Sequence, residues 1–236
     1  MQIHAPKPLH GWREFFGEVG IIVLGVLIAL VAQEIVKVIA NREQVVRGED
    51  SLRDNFARFV MFAAELDAYA PCVAARATEV RQIIDQAAAA RRLPRVGPIP
   101  QLAPHPWQTD TYGAMVASQA ITHVSHDRAI LYSRISMSAA DLYQDAMIEW
   151  AEWGALASLS GGPRRFSEAE EAEDRLTLAR AVHQDALMRI IADTTLARIK
   201  STGLLDKRAF DLAAAKGGEA ARAIPMCRPI NVARQA

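Results

Sequence analysis

Aromatic residues are scarce, at 6% of the chain, and cysteine occurs only twice. Aromatic and β-branched residues are the strand formers, whereas alanine and leucine lose little on entering a helix. The apolar weight here is carried by alanine and leucine-type residues, so the composition predicts helices, and no strand pattern or internal repeat is seen. Charge of one sign is also missing: 27 basic residues balance 27 acidic ones. That excludes the basic excess of a general nucleic-acid binder, so nucleic acid is not an expected partner. Also lacking are a Cys-x-x-Cys pair, a Ser/His/Asp order and a phosphate-cradling glycine loop. Ser160-Gly161-Gly162 has no strand before it and no helix directly after it. No catalytic residue and no cofactor is therefore assigned.

What the chain has is a long apolar stretch near its start. Phe15 to Val36 reads FFGEVGIIVLGVLIALVAQEIV, with an uninterrupted run from Val19 to Ala32. With its flanks the segment reaches about 20 residues, enough for a hydrocarbon core of about 30 Å. Trp12 lies one turn outside, where an amphipathic ring meets the headgroups. Glu18 sits close to the edge and to a helix N-terminus, whose dipole favours a carboxylate. Its two readings are an interfacial acid and a contact with a basic group on a partner helix. Gly25 and Ala29 form a small-xxx-small pair that lets a second backbone approach, either another membrane protein or a second copy. A cleavable leader is the rival reading. Its best cleavage point, after Ala32, puts Leu30 where a small residue is wanted, which favours an uncleaved anchor.

The stretch from His10 to Leu30, with Gly17-Glu18 leading into an Ile/Val/Leu/Gly helix, resembles the opening of a group of uncharacterised bacterial single-pass membrane proteins. The resemblance covers about the first 35 residues. It implies a membrane helix followed by a helical soluble region and carries no activity.

Orientation is less marked. Lys7, Arg13 and the amino terminus on one side balance Lys37, Arg42 and Arg47 on the other, so the positive-inside rule gives a tie. Cys72 and Cys227 tip it. As a disulfide they would tie the C-terminal tail to the helices in an oxidising compartment, and as unrelated buried thiols they would say nothing. The expected arrangement is a bacterial inner-membrane protein with residues 1–14 cytoplasmic, 15–36 spanning, 37–220 a periplasmic helical bundle and 221–236 an irregular tail.

Beyond the membrane the strongest signal is a heptad seam: Leu52, Phe56, Phe59, Ala63, Leu66, Ala70, Val73, Ala77, Val80 and Ile84. Spacings of four and three mark a helix packed on other helices. The seam passes Pro71 in phase, which predicts a kink or tight break rather than a loop. Arg47 to Ser51, around Gly48, is the expected bend. Without it, one helix would run from near Trp12 to near Ala90. Prolines 94, 98, 100, 104 and 106 make 93–108 an extended connector, packed through Ile99, Leu102 and Trp107. A short helix over 110–119 follows. A long one comes next, capped by Ser125 and running over 126–159, with the stripe Leu131, Ile135, Ala139, Leu142, Ala146, Trp150 and Trp153. Gly161-Gly162-Pro163 ends it. Ser167-Glu-Ala-Glu170 is a capping box opening a helix whose expected stripe is Leu176, Ala179, Val182, Ala186 and Ile190. Gly203 closes it, and a short helix spans 206–216. The predicted fold class is all-α, an N-terminal transmembrane helix followed by an antiparallel helical bundle.

Two clusters carry possible chemistry. His123, His126 and Asp127 have ligand types and spacing that suit zinc, given a further ligand such as His183 or His105; the plain alternative is a polar helix start. Glu149 and Glu152 lie beside Trp150 and Trp153, where a carboxyl gains a raised pKa; the plain alternative is an amphipathic helix. Three functions follow. The first is a non-catalytic membrane-anchored interaction protein, an accessory or scaffold subunit of an envelope complex. The second is a ligand-sensing bundle that signals through a partner. The third is a metal-dependent hydrolase on the histidine cluster.

Overall fold

A computed structural model describes residues 11–101, 111–221 and 225–231. Helix α1 runs unbroken from Trp12 to Ala90, 79 residues, a rod about 120 Å long at about 1.5 Å per residue. It ends where Arg91 turns left-handed and its N–H bonds the carbonyls of Ala87 and Ala88. The bend expected at Arg47–Ser51 is absent. Gly48 serves packing instead: a Cβ there would lie 2.8 Å from the Met115 side chain. Pro71 is accommodated inside the helix on its solvent side. The carbonyl of exposed Asp67, which loses its helical donor, is therefore within reach of water.

The two ends of α1 live in different surroundings. From Trp12 to Ile39 every large apolar side chain is exposed. The most apolar window there has a mean hydropathy of 2.6 and buries nothing against the rest of the chain. This end of the helix is long and apolar enough to cross a membrane. From Leu52 onward α1 becomes a core helix. Of the ten seam residues, only Ala70 is not fully buried. Val60, Phe62, Tyr69, Ile83 and Ala87 are buried as well, because α1 is covered on more than one side.

After α1 a two-residue strand β1 (Arg92–Leu93) pairs antiparallel with β2 (Arg164–Arg165). Two-residue strands are too short to show a periodicity of two, which is why the sequence gives no sign of them. The connector is extended up to residue 101, with Leu93, Val96 and Ile99 buried; Leu102, Pro104, His105, Pro106 and Trp107 lie outside the described residues. Helix α2 (Thr111–Ala117) and a 3-10 turn (Ala120–His123) lead to α3 (His126–Ala155). Ser125 stands at the N-cap of α3 without a side-chain cap bond. Helix α4 (Glu168–Thr202) opens on the capping box, in which Ser167 Oγ accepts from the Glu170 N–H and Glu170 accepts from the Ser167 N–H. It closes at Gly203, φ 68°. Helix α5 (Lys207–Ala221) and a 3-10 turn (Pro225–Cys227) complete the described chain.

The helices form a bundle of mixed direction. Asp85 meets Arg175, and Arg91 meets Glu168 and Glu171, so α4 runs against α1. Ser158 meets Asp174 and Ser138 meets Arg198, so α4 also runs against α3. Helix α5 follows α1 in the same sense: Arg53 binds the Leu204 carbonyl, Gly217 lies on Met61, and Cys72 joins Cys227. The turn after Gly203 sends the chain back up α1, so α4 runs against α1 and α3 while α5 parallels α1.

At Gly217 α5 touches α1 backbone to backbone. A Cβ there would fall 1.9 Å from the Met61 carbonyl oxygen, and neither backbone has a flexible end to move. Gly217→Ala therefore destabilises the folded chain by about 1–3 kcal/mol, the usual cost of overpacking, despite alanine's better helix propensity. A lowered melting temperature of the full chain in detergent checks this; an unchanged or raised value contradicts the close approach.

Candidate functional site

The face that α4 turns to the core differs from the expected one. Leu176 is 52% and Ile190 65% exposed, and Ala179 is exposed too. The buried positions are Asp174, Thr177, Leu178, Ala181, Gln184, Asp185, Met188, Ala192, Thr195 and Ile199. These follow the three-four spacing of a packed helix, but half of them are polar, so an apolar stripe is sought on the wrong side. A similar exchange occurs on α3. Trp150 is 40% exposed, and Glu149 takes the core position, 2% exposed.

These faces meet in a polar seam between α1, α3 and α4. Trp153 Nε1 donates to Glu149 Oε1 at 3.1 Å. One turn along α4, Arg189 donates to Asp185 Oδ2 at 2.8 Å. Burial, then the charge of Asp185, pushes the Glu149 carboxyl up to about 7, opposed by the indole hydrogen bond and Arg189. Burial also raises Asp185, opposed by Arg189. From α1, Tyr69 faces both acids, and its phenol is pushed far above the usual range by burial first and by Glu149, Asp185 and Glu65 next. Of the paired acids expected from the sequence, Glu149 is thus the one placed in an unusual environment, while Glu152 is half-buried beside it. Asp185, Arg189, Gln184 and Tyr69 escape a search for apolar stripes. The three-four register of α4, read with polar residues allowed, is the signal that finds three of them.

A second polar cluster ties down the tail. Cys72 and Cys227 form a disulfide that spans 155 residues of sequence. On the same face of α1, Arg76 is 1% exposed. It donates to Glu79 at 2.8 Å, to the Met226 carbonyl at 3.1 Å and to the Arg228 carbonyl. Glu79 in turn accepts the N–H of Ile230, and Gly97 donates to the Asn231 carbonyl. Cys72, Arg76 and Glu79 stand at i, i+4 and i+7, one helical face, so the tail's path is encoded along that stripe. Where the tail meets the connector, a cavity of about 680 Å³ is lined by Arg95, Val96, Gly97, Gly161, Gly162, Ile230 and Asn231.

The histidine cluster is not assembled. His123 ends a 3-10 turn, His126 and Asp127 open α3, and all three are exposed, as is His183 on α4. Among the described residues no three His, Cys, Asp or Glu side chains converge to hold a metal; His105 lies outside them. On the apolar end of α1, Glu18, Gly25 and Ala29 are exposed, and nothing of the chain approaches Gly25. Because α1 is regular, steps of seven and four residues put all three on one face.

Compared with family models, with curated proteins and with solved structures, the chain finds no match in any of the three. Its functional reading rests on its own residues.

The tail clamp predicts a redox-dependent stability. Replacing both cysteines by serine frees residues 225–231 and leaves Arg76 buried without its fixed carbonyl partners. A loss of about 2–4 kcal/mol is expected, as for other long-loop disulfides. It is read as a lower melting temperature that reductant reproduces in the wild-type chain. A melting temperature indifferent to reductant counts against the clamp.

Proposed function

We propose that this chain is a membrane-anchored, non-catalytic interaction protein, an accessory or scaffold subunit of a cell-envelope membrane complex. The carrying observation is the continuity of α1. One helix exposes apolar side chains on all sides from Trp12 to Ile39, then enters the soluble core without a joint. Such a rod fixes the height and rotation of the bundle relative to the span, as a scaffold requires. The face shared by Glu18, Gly25 and Ala29 supports close packing with another membrane helix, a partner's or a second copy's. The setting that fits is a bacterial inner membrane, as the resemblance of residues 10–35 implies. The bundle, built on the antiparallel α3–α4 hairpin, then lies on the periplasmic side, where the Cys72–Cys227 disulfide would persist.

A second reading, a ligand-sensing bundle that acts through a partner, is favoured by the cavity at the far end. The metal-dependent hydrolase has no such support, since the described residues do not gather a ligand set.

Affinity purification of the tagged full chain from its native membrane in mild detergent tests the proposal. A reproducible stoichiometric membrane partner is expected, together with loss of that partner in a Gly25→Leu, Ala29→Leu variant that still enters the membrane. Recovery of a lone monomer sinks the accessory-subunit reading.

A further inference from the structure

The seam between α1, α3 and α4 gathers carboxyls around a guanidinium. Glu149 is faced from α4 by Asp185 and Arg189, and from α1 by Tyr69, on whose phenol Glu65 also acts. On its own helix it accepts from Trp153. Arg189 is committed to Asp185 Oδ2, while Asp185 Oδ1, Gln184 Nε2 and Arg189 Nε are buried without a hydrogen-bond partner. Arg189, whose side chain is 38% exposed, also acts on Asp67 of α1, so it does not neutralise the two buried acids Glu149 and Asp185 together. Asp185, held by Arg189, is the acid that ionises, and Glu149 is the acid that keeps its proton. Loss of that proton would place anion beside anion in the core. Helices α1 and α4 run on well past the seam in both directions, but α3 ends six residues beyond Glu149, at Ala155, where the chain changes to a 3-10 turn, Leu156–Leu159, anchored by buried Leu156 and Leu159. That change of helix type marks the end of α3 as the hinge of the seam.

We propose that this end of α3 is a proton-operated latch: with Glu149 protonated it stays packed against α4 and α1, and when Glu149 gives its proton to solvent the segment loosens and uncovers Trp153. The bundle thereby senses the pH of its compartment at a seam packed against α1, the helix whose other end is apolar enough to cross a membrane. The inference stands on the seam alone and does not depend on which partner the chain joins.

The direction of the pH effect is fixed. The folded chain holds this proton up to about pH 7, whereas an unperturbed glutamate releases it at 4.5. The stabilisation is full below the lower value and is lost as pH rises to the higher one. Asp185, also raised, acts in the same sense at lower pH.

The test uses the full chain in detergent, with thermal melts and amide hydrogen exchange followed across that range. In wild type the folded-to-unfolded ratio should fall by up to about tenfold per pH unit. Exchange over residues 146–159 should quicken beyond its intrinsic pH dependence. Glu149→Gln, which keeps the shape and cannot ionise, should abolish both steps and hold the slow-exchanging form at alkaline pH. A wild-type chain with neither step, or a variant that retains them, overturns the proposal. Should the variant fail to fold, infrared spectroscopy of the wild type decides. A protonated-carboxyl C=O band that bleaches as pH rises through neutrality upholds the latch, and its absence overturns it.

Discussion

Everything in this chain hangs on α1 being one helix with two kinds of surface. Its first part exposes apolar side chains on every face, and its second part narrows to a buried seam flanked by charges. No loop separates the regimes, so the soluble elements are placed by their distance along a single axis. Glu49 takes Arg128 and Tyr132 at the near end, which sets where α3 begins. Arg91, bonded to Glu168 and Glu171, sets where α4 begins at the far end. The remaining helices fill the length between these two points, and α5 retraces part of α1 because the turn after Gly203 returns the chain near Arg53.

The cost of this arrangement is concentrated on α4. A helix wedged between two others would ordinarily bring an apolar face to each. This one buries Asp174, Thr177, Gln184, Asp185 and Thr195. Some are satisfied locally, as Thr195 is by bonding the Ile191 carbonyl one turn back. Asp185 is not fully satisfied, and its pair with Arg189 stabilises little in the net, since desolvation offsets most of the attraction. Replacing such a pair by apolar residues of similar size is often neutral or stabilising. Stability therefore does not explain the composition of the seam, whereas a need for a titratable centre does.

Much of the fold was legible from residue patterns, and where it was not, one physical reason recurs. The α1 seam, the capping box at Ser167 and the stop at Gly203 follow from spacing or from residue chemistry that operates locally; the pairing of Cys72 with Cys227, 155 residues apart, was one of two open readings. The face of α4 did not, because hydrophobic periodicity reports burial only when the core is apolar. Leu176 and Ile190 carried the apolar signal outward, and Asp185 and Gln184 carried the register inward. Gly48 misled for a related reason: a glycine that permits a bend and one that permits a close neighbour are the same residue in sequence. Of the candidate site, Glu149 was visible beside its tryptophans. Its partners were not, since only tertiary packing brings α1 and α4 to it.

The middle of α1 shows how the separate devices combine. Pro71 removes a backbone hydrogen bond from the helix, and Glu65, Tyr69 and Arg76 put polar groups into the core within two turns of it. Either feature alone weakens a helix at that point. The disulfide at Cys72, the bonds from Arg76 to the tail carbonyls and the bond from Ile230 to Glu79 all lie on the C-terminal side of the proline. They strap a second segment of chain across the region where α1 is least held by itself. A covalent strap is the appropriate kind of support there, because an apolar contact would have to compete for the face already occupied by α4 and α5. The clamp thus keeps α1 a single rod beside the seam, so that a change of charge at Glu149 on α3 acts on the helix whose other end is apolar enough to cross a membrane.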